Sequence, residues 1–369
     1  MNSPQRLELL RQSMEQKGLE ALLITTPENR RYLSGFSGSS GLLFVTAQGC
    51  ALVTDGRYWA QAERECPQVE LVRFRAEEHP GMLHCGVPWL KGQGTLGIEG
   101  RHLVAADFLT LQQLLPADWK VEPVQNLVEE LRQLKDADEV ERIRHCCNLA
   151  DRALLKALPS LKEGIQERDF CLELEYQMQK LGARKPAFDS IVASGPNGAY
   201  PHAGVTERRI QTGELITLDF GAYCNGYNSD ITRTLWLGRL GERNTFLYQA
   251  VREAQARAVE AVAPGKTCKE IDAVARGHLA GLGLGEYFSH GLGHGLGMAV
   301  HELPGVRSTS DTVLQPGMVI TIEPGVYIPG ETGCRVEDSV LVTAQGYEKL
   351  TRSPYQNSQQ THPLEAVDA

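Results

Sequence analysis

The chain has 369 residues, 42% apolar and 22% charged, with a formal net charge of -9. That length exceeds the usual single-domain range of roughly 100–200 residues and predicts two domains, while the composition excludes disordered, fibrous and disulfide-scaffold classes. The acidic balance excludes a nucleic-acid partner, whose phosphates need clustered Lys and Arg.

The nine cysteines are scattered, and Cys146 and Cys147 are adjacent rather than set in a C-x-x-C pair, so they read as reduced thiols. No secretory apolar stretch opens the chain, and no run approaches the ~18 apolar residues of a membrane span. The expected address is the cytoplasm, with no membrane partner.

In chain order, Leu7, Leu10 and Met14 recur at helical spacing between Pro4 and Lys17, with Gly18 as a stop. Ala21 to Thr25 reads as a buried strand, and after a Gly- and Ser-rich stretch Leu42–Val45 and Cys50–Val53 read as two strands joined at Gln48-Gly49. A helix follows from Arg57 to Glu65, and strand and helix signals alternate to about Leu115. This first block is an α/β domain, 1–130, and the rest, 131–369, is the second domain of an α/β (α+β) chain.

The second domain opens on an amphipathic helix, Asp138 to Leu158, with Val140, Ile143, Cys147, Ala150 and Leu154 on one stripe. Further helices are predicted over Gln166–Leu181, Thr245–Val262 and Lys269–Leu279. Between them lie two hairpin patterns: Leu215–Tyr223 with Tyr227–Leu237, and Val319–Ile328 with Cys334–Thr343. Two helix pairs and two hairpins imply an internal duplication. The tail after Gln356 reads as disordered.

Strand alternation sets Asp219 beside Thr217, and Asp230 beside Asn228, Thr232 and Thr234, on polar stripes in an apolar hairpin. In the second hairpin Thr321 and Glu323 share a face, as do Arg335, Glu337 and Ser339. Four carboxylates converging in a core would repel one another and resist ionisation unless cations lay between them. An oxygen-rich set with a single imidazole suits manganese, cobalt or iron better than structural zinc. The imidazole candidate is His294, in Gly293-His294-Gly295-Leu296-Gly297. His301-Glu302-Leu303-Pro304 is not an H-E-x-x-H zinc motif, because the second His position is Gly305.

Leu218-Asp219-Phe220-Gly221, Ser229-Asp230-Ile231-Thr232-Arg233-Thr234, Gly293-His294-Gly295, Ile322-Glu323-Pro324-Gly325 and Arg335-Val336-Glu337-Asp338 together resemble the pita-bread metallopeptidases. These include aminopeptidase P, prolidase and methionine aminopeptidase. The first block resembles the creatinase-type N-terminal domain of the proline-specific branch, which methionine aminopeptidase commonly lacks.

The resemblance implies a creatinase-like domain followed by a pita-bread catalytic domain with pseudo-twofold duplication, and two divalent ions, with manganese expected and cobalt, iron or zinc compatible. By the same resemblance Asp219 holds one ion, His294 and Glu323 the other, and Asp230 and Glu337 bridge both. It implies hydrolysis of the bond between an N-terminal residue and a penultimate proline by a hydroxide held between the ions. Glu323 would shuttle the proton, His301 would stabilise the oxyanion and His202 would contact the scissile bond. His290, Tyr327 and Arg335 match pocket positions. Phe188 reads equally as pocket wall or core packing, and Asp338, on the face opposite Glu337, reads as structural.

Relatives commonly pair so that an N-terminal domain walls the partner's site, which implies a homodimer, with Asp55-Gly56-Arg57-Tyr58 as the candidate wall. Prolidases often carry Arg where this chain has Gly305, so the reading tilts to an Xaa-Pro aminopeptidase, with the Xaa-Pro dipeptidase as alternative should Arg307 serve instead. A non-catalytic binding scaffold is the alternative from another class.

Overall fold

In the computed structural model, which describes residues 3–357 and 359–363, the chain forms two units, Met1–Arg132 and Gln133–Ala369. The division falls two residues beyond the boundary read at 130/131.

The first unit is built on a six-stranded mixed sheet, in the order Glu70–Phe74, Cys50–Asp55, Leu42–Thr46, Ala21–Ile24, Gly94–Glu99, Trp119–Val124. The central strand, Ala21–Ile24, is buried along its whole length, as its unbroken apolar run requires. It pairs antiparallel with Leu42–Thr46 and parallel with Gly94–Glu99. The Gly- and Ser-rich stretch is tied down by buried Arg30, which donates to the carbonyls of Gly41 (2.6 Å) and Gly38 (2.8 Å). The first helix runs Ser3–Gln16, and the one expected from Arg57 starts at Trp59.

In the second unit the helix Ala137–Ala157 starts at a capping box. The Asp136 carboxylate accepts the Glu139 N–H, and the Glu139 carboxylate accepts that of Asp136. Such a cap stabilises a helix by about 0.5–2 kcal/mol. The expected stripe from Val140 to Leu154 is buried, and Tyr227 Oη donates to Glu139 (2.9 Å), seating the helix on the first hairpin. The other helices are Glu167–Lys180, Glu242–Glu260 and Cys268–Gly281.

Each half of this unit repeats one order: helix pair, single strand, hairpin. In the first half the strand Ile191–Ser194 lies antiparallel to Ile216–Phe220, which pairs with Ile231–Leu235. In the second, Gly293–Gly295 lies antiparallel to Val319–Ile322, which pairs with Asp338–Thr343. The strands differ from their sequence reading in one consequential way. Both hairpins were expected to be continuous, but each breaks halfway: Ala222–Cys224 with Tyr227–Asn228, and Gly325–Ile328 with Thr332–Arg335, leave to pair in separate small sheets. Pro324, with no N–H to give a ladder, marks the second break.

The expectation of a disordered tail fails as far as Pro363: Gln360 O accepts from Trp236 Nε1 (2.9 Å) and Thr361 O from the Gly238 N–H (2.7 Å). The remainder of that expectation, Ser358 and 364–369, lies outside the described residues. No helix among the described residues is long and apolar enough to cross a membrane.

Candidate metal centre and peptide pocket

The two hairpin breaks carry the candidate carboxylates. Asp219 is the penultimate residue of its strand and Asp230 immediately precedes Ile231–Leu235; Glu323 follows Val319–Ile322 and Glu337 immediately precedes Asp338–Thr343. At such a break the backbone leaves the ladder and its side chains turn inward. Close backbone approaches flank the site on both sides. A Cβ on Gly221 would lie 2.0 Å from Ser229 O, and one on Gly293, before His294, 2.0 Å from Thr321 O, so only glycine fits at either position.

The hairpins are stitched together by buried hydrogen bonds. Thr232 Oγ1 donates to Glu337 Oε2 (2.8 Å), Thr234 Oγ1 to Arg335 O (2.7 Å) and Ser339 Oγ to Asp230 O (2.7 Å). Arg233, 1% exposed, pairs with fully buried Asp338 at 2.9 Å and also donates to the Glu337 carbonyl. Asp338 thus has the structural role expected of it.

Asp219, Asp230 and Glu337 present carboxylate oxygens within 4.8 Å of one another. His294 Nε2 lies 3.6 Å from Asp230 Oδ2 and 3.2 Å from Glu323 Oε1, while its Nδ1 faces Gly295 O at 3.1 Å. With Nδ1–H donating to that carbonyl, Nε2 is the nitrogen turned to the carboxylates, the orientation of a metal ligand. Five donors therefore form one cluster, with Asp230 common to both ends.

The electrostatics fit cations. Burial, then repulsion from neighbouring carboxylates, lifts Asp230 and Glu337 well above their ordinary values. Burial also raises Asp219, against the charge of Arg335. Burial likewise works to raise Glu323, but the His294 hydrogen bond and charge bring it down to about 2. His294, which burial alone would depress, is held at about 9 by Glu323 and Asp230. Asp219 Oδ1 and Glu337 Oε1 are buried with no hydrogen-bond donor, as ligand oxygens reserved for a cation would be.

A cavity of about 680 Å³ opens over this cluster, and every expected site residue except Glu337, which lies 1% exposed beneath it, lines the space. Phe188 is among them, so its pocket-wall reading gains the observation. Arg335 also lines the cavity, but its donors are engaged: Nη2 to Asp219 Oδ2 (2.6 Å), Nη1 to Tyr327 Oη (2.7 Å) and Pro201 O (3.1 Å). It braces the site. Tyr327 Oη meets His290 Nε2 at 3.0 Å, and His290 Nδ1 meets Gly291 O at 2.7 Å. Burial lowers His290 and pushes Tyr327 up to about 12, so both stay neutral and the tyrosine O–H donates a hydrogen bond to the imidazole Nε2. The His301 ring packs 4.2 Å from that of His294, and burial with that neighbour lowers its pKa.

Several participants were not anticipated. Asp189 and Val300 line the cavity. Glu302, next to His301, is held by buried Lys135 at 2.8 Å, a pairing no local spacing announces.

Residues 141–344 match metallopeptidase family M24, and residues 6–134 match the creatinase/prolidase N-terminal domain. This chain belongs to metallopeptidase family M24. It is 38% identical to a Xaa-Pro dipeptidase of Pyrococcus furiosus, across 95% of this chain and 98% of that one. Its fold superposes on a Xaa-Pro dipeptidase from Bacillus anthracis with a TM-score of 0.92 and 38% identity, covering 96% of this chain and 99% of the other. An X-Pro aminopeptidase from Thermotoga maritima gives a TM-score of 0.86 at 33% identity, covering 95% and 98%. As an M24 enzyme the chain is a peptidase that depends on divalent metal, with the creatinase-type and pita-bread domains its motifs implied, and the non-catalytic scaffold reading gives way.

Proposed function

We propose that this M24 peptidase is an Xaa-Pro dipeptidase, hydrolysing the bond between an N-terminal residue and a C-terminal proline. The observation that carries the choice is Arg307. It lines the metal-site cavity, and its Nε lies 3.6 Å from where a Cβ on Gly305 would stand. The guanidinium stem thus occupies the space a side chain at 305 would fill, supplying from two residues away a cation suited to the free carboxylate of a dipeptide. The dipeptidase names of the relatives support the same reading. The X-Pro aminopeptidase reading, favoured by Gly305 alone and by the Thermotoga maritima neighbour, shares the whole site except this clamp.

In this reading Asp219 would hold one ion and His294 and Glu323 the other, with Asp230 and Glu337 as ligands available to both. Two divalent ions, manganese by the oxygen-rich donor set, would supply when bound a Lewis acid for the scissile carbonyl and a lowered pKa for the attacking water. Glu323, ionised across the neutral range, takes a proton from that water as its oxygen bonds the carbonyl carbon, then delivers it to the proline nitrogen as the C–N bond breaks. His301 and His202 face the carbonyl and the scissile bond, where an N–H stabilises the developing oxyanion. Phe188 packs against the substrate, and His290 and Tyr327 with Arg335 complete the pocket. A homodimer and a cytoplasmic address belong to the same reading, the latter supported by nine unpaired cysteines.

The test is hydrolysis of Xaa-Pro and Xaa-Pro-Yaa by the manganese-loaded wild type and Arg307→Ala. A hydrogen-bonded charge contributes about 1.5–3 kcal/mol, so the variant should raise KM for the dipeptide roughly 10- to 150-fold and change the tripeptide little. Equal cleavage of both peptides, insensitive to Arg307, would make the enzyme an aminopeptidase.

A further inference from the structure

His202 reaches the pocket from a loop between the strand Ile191–Ser194 and the segment Thr206–Ile210, whose tip is touched by the strand Thr332–Arg335 through Arg335 Nη1 on Pro201 O (3.1 Å). Pro201, His202, Ala203 and Gly204 all line the cavity from this loop. Both ends of the loop converge on one side chain, the fully buried carboxylate of Glu167 in the first turn of the helix Glu167–Lys180.

Glu167 Oε1 accepts from Ser194 N (2.7 Å) and Ser194 Oγ (2.8 Å), at the start of the loop. Its Oε2 accepts from Asn197 Nδ2 (2.9 Å) and from Thr206 Oγ1 at the far end. Asn197 Nδ2 also donates to Gly204 O (3.2 Å), closing the loop across its neck just beyond the histidine. The far end is held a second time by the backbone, since Glu167 N donates to Arg208 O (2.9 Å) and Arg168 N to Thr206 O (3.1 Å).

We infer that Glu167 is a positioning residue for His202: its single buried carboxylate fastens both ends of the loop and so fixes where the imidazole stands over the scissile bond. A buried carboxylate with every acceptor direction used is otherwise a poor choice for stability, since an apolar side chain of similar volume costs less desolvation. It is placed where four donors of one loop must be gathered at a point. The inference rests on the proposed role of His202 in peptide hydrolysis.

The experiment is a double-mutant cycle on the manganese-loaded enzyme with an Xaa-Pro dipeptide, using Glu167→Gln, His202→Ala and the pair. The glutamine keeps the volume but turns an N–H₂ towards the Asn197 amide, releasing the neck of the loop. Because misplacing a catalytic group by about 1 Å costs on the order of 100-fold, Glu167→Gln should lower kcat about 10- to 100-fold with bound manganese unchanged. In the His202→Ala background it should lower kcat no further. Asn197→Ala, at a half-exposed position, removes the same neck contact without opening the core and should reproduce the effect on kcat should the glutamine variant not fold. Losses that multiply in the double variant, or loss of manganese with Glu167→Gln, would overturn the inference. A His202→Ala enzyme as fast as wild type would instead sink the proposed role of His202 itself.

Discussion

The carboxylate cluster makes a prediction in which activity and stability move in opposite directions. Asp219 Oδ1 and Glu337 Oε1 are buried and receive no hydrogen bond, and Glu337 is held well above its ordinary pKa, by burial first and then by Asp230, Glu323 and Asp219. Each unsatisfied buried group costs about 1–3 kcal/mol, more when charged, so cations that satisfy both oxygens should stabilise the chain by at least ~2–6 kcal/mol. For a unit of this size each kcal/mol moves Tm by roughly 2–4 °C, and chelation should therefore lower Tm by about 4–24 °C. Glu337→Gln removes one orphaned acceptor and one negative charge while keeping the shape. Under chelation it should melt several degrees above the wild type, yet be inactive and respond weakly to manganese. Differential scanning calorimetry of both proteins, with and without chelator, measures all of this. A chelated Glu337→Gln protein that melts below the chelated wild type would refute the reasoning, because the carboxylate would then be contributing to the fold rather than straining it.

Other consequences follow from the same geometry. Gly221→Ala, whose Cβ would press on Ser229 O, should cost about 3 kcal/mol or more, read as a fall in urea midpoint or loss of soluble protein. His301→Ala should reduce kcat roughly 100- to 1,000-fold, the usual cost of an oxyanion donor, with bound manganese and Tm unchanged; a parallel loss of metal would reassign it to the metal centre. His290 is depressed below its ordinary 6.5 by burial. Below that pH the unfolded chain takes up a proton that the folded chain refuses, so stability falls as pH drops through 6.5 by up to about 1.4 kcal/mol per unit. Chelated wild type and His290→Asn, compared by urea melts between pH 5 and pH 7.5, should differ in that slope, and parallel curves would remove His290 as its source.

The candidate site was legible because its chemistry is carried by short runs in which position along a strand determines facing. Asp219 with Thr217, and Asp230 with Thr232 and Thr234, stood out as polar stripes where an apolar hairpin needs none. The breaks in the hairpins were not legible, because the apolar alternation continues across Gly221 and across Pro324 as though the strands did. Pro324 and Gly325 are residues that often stand at turns, but nothing near them says that the strand resumes in another sheet. Glu167 and Lys135 were hidden for a different reason. Each is a charged residue near a helix start, where charge is ordinary, and its meaning lies in partners such as Thr206 and Glu302 that only the fold brings near. The ordered tail was missed because its anchors, Trp236 and Gly238, lie far away in the chain.

The duplication explains why the site exists where it does. One broken hairpin yields two carboxylates at a strand end, too few to hold two cations and too exposed to exclude water. Two broken hairpins set face to face put four there, and the bonds that join them are the ones that define the cluster: Thr232 to Glu337, Ser339 to the Asp230 carbonyl, and Arg233 to Asp338. Breaking a buried pair such as Arg233–Asp338 leaves an uncompensated charge and costs about 3–5 kcal/mol. Because Arg233 also holds the Glu337 carbonyl, that penalty would be exacted at the metal centre. The residues that keep the halves together and the residues that carry the chemistry alternate along the same strands, so neither set can change without moving the other.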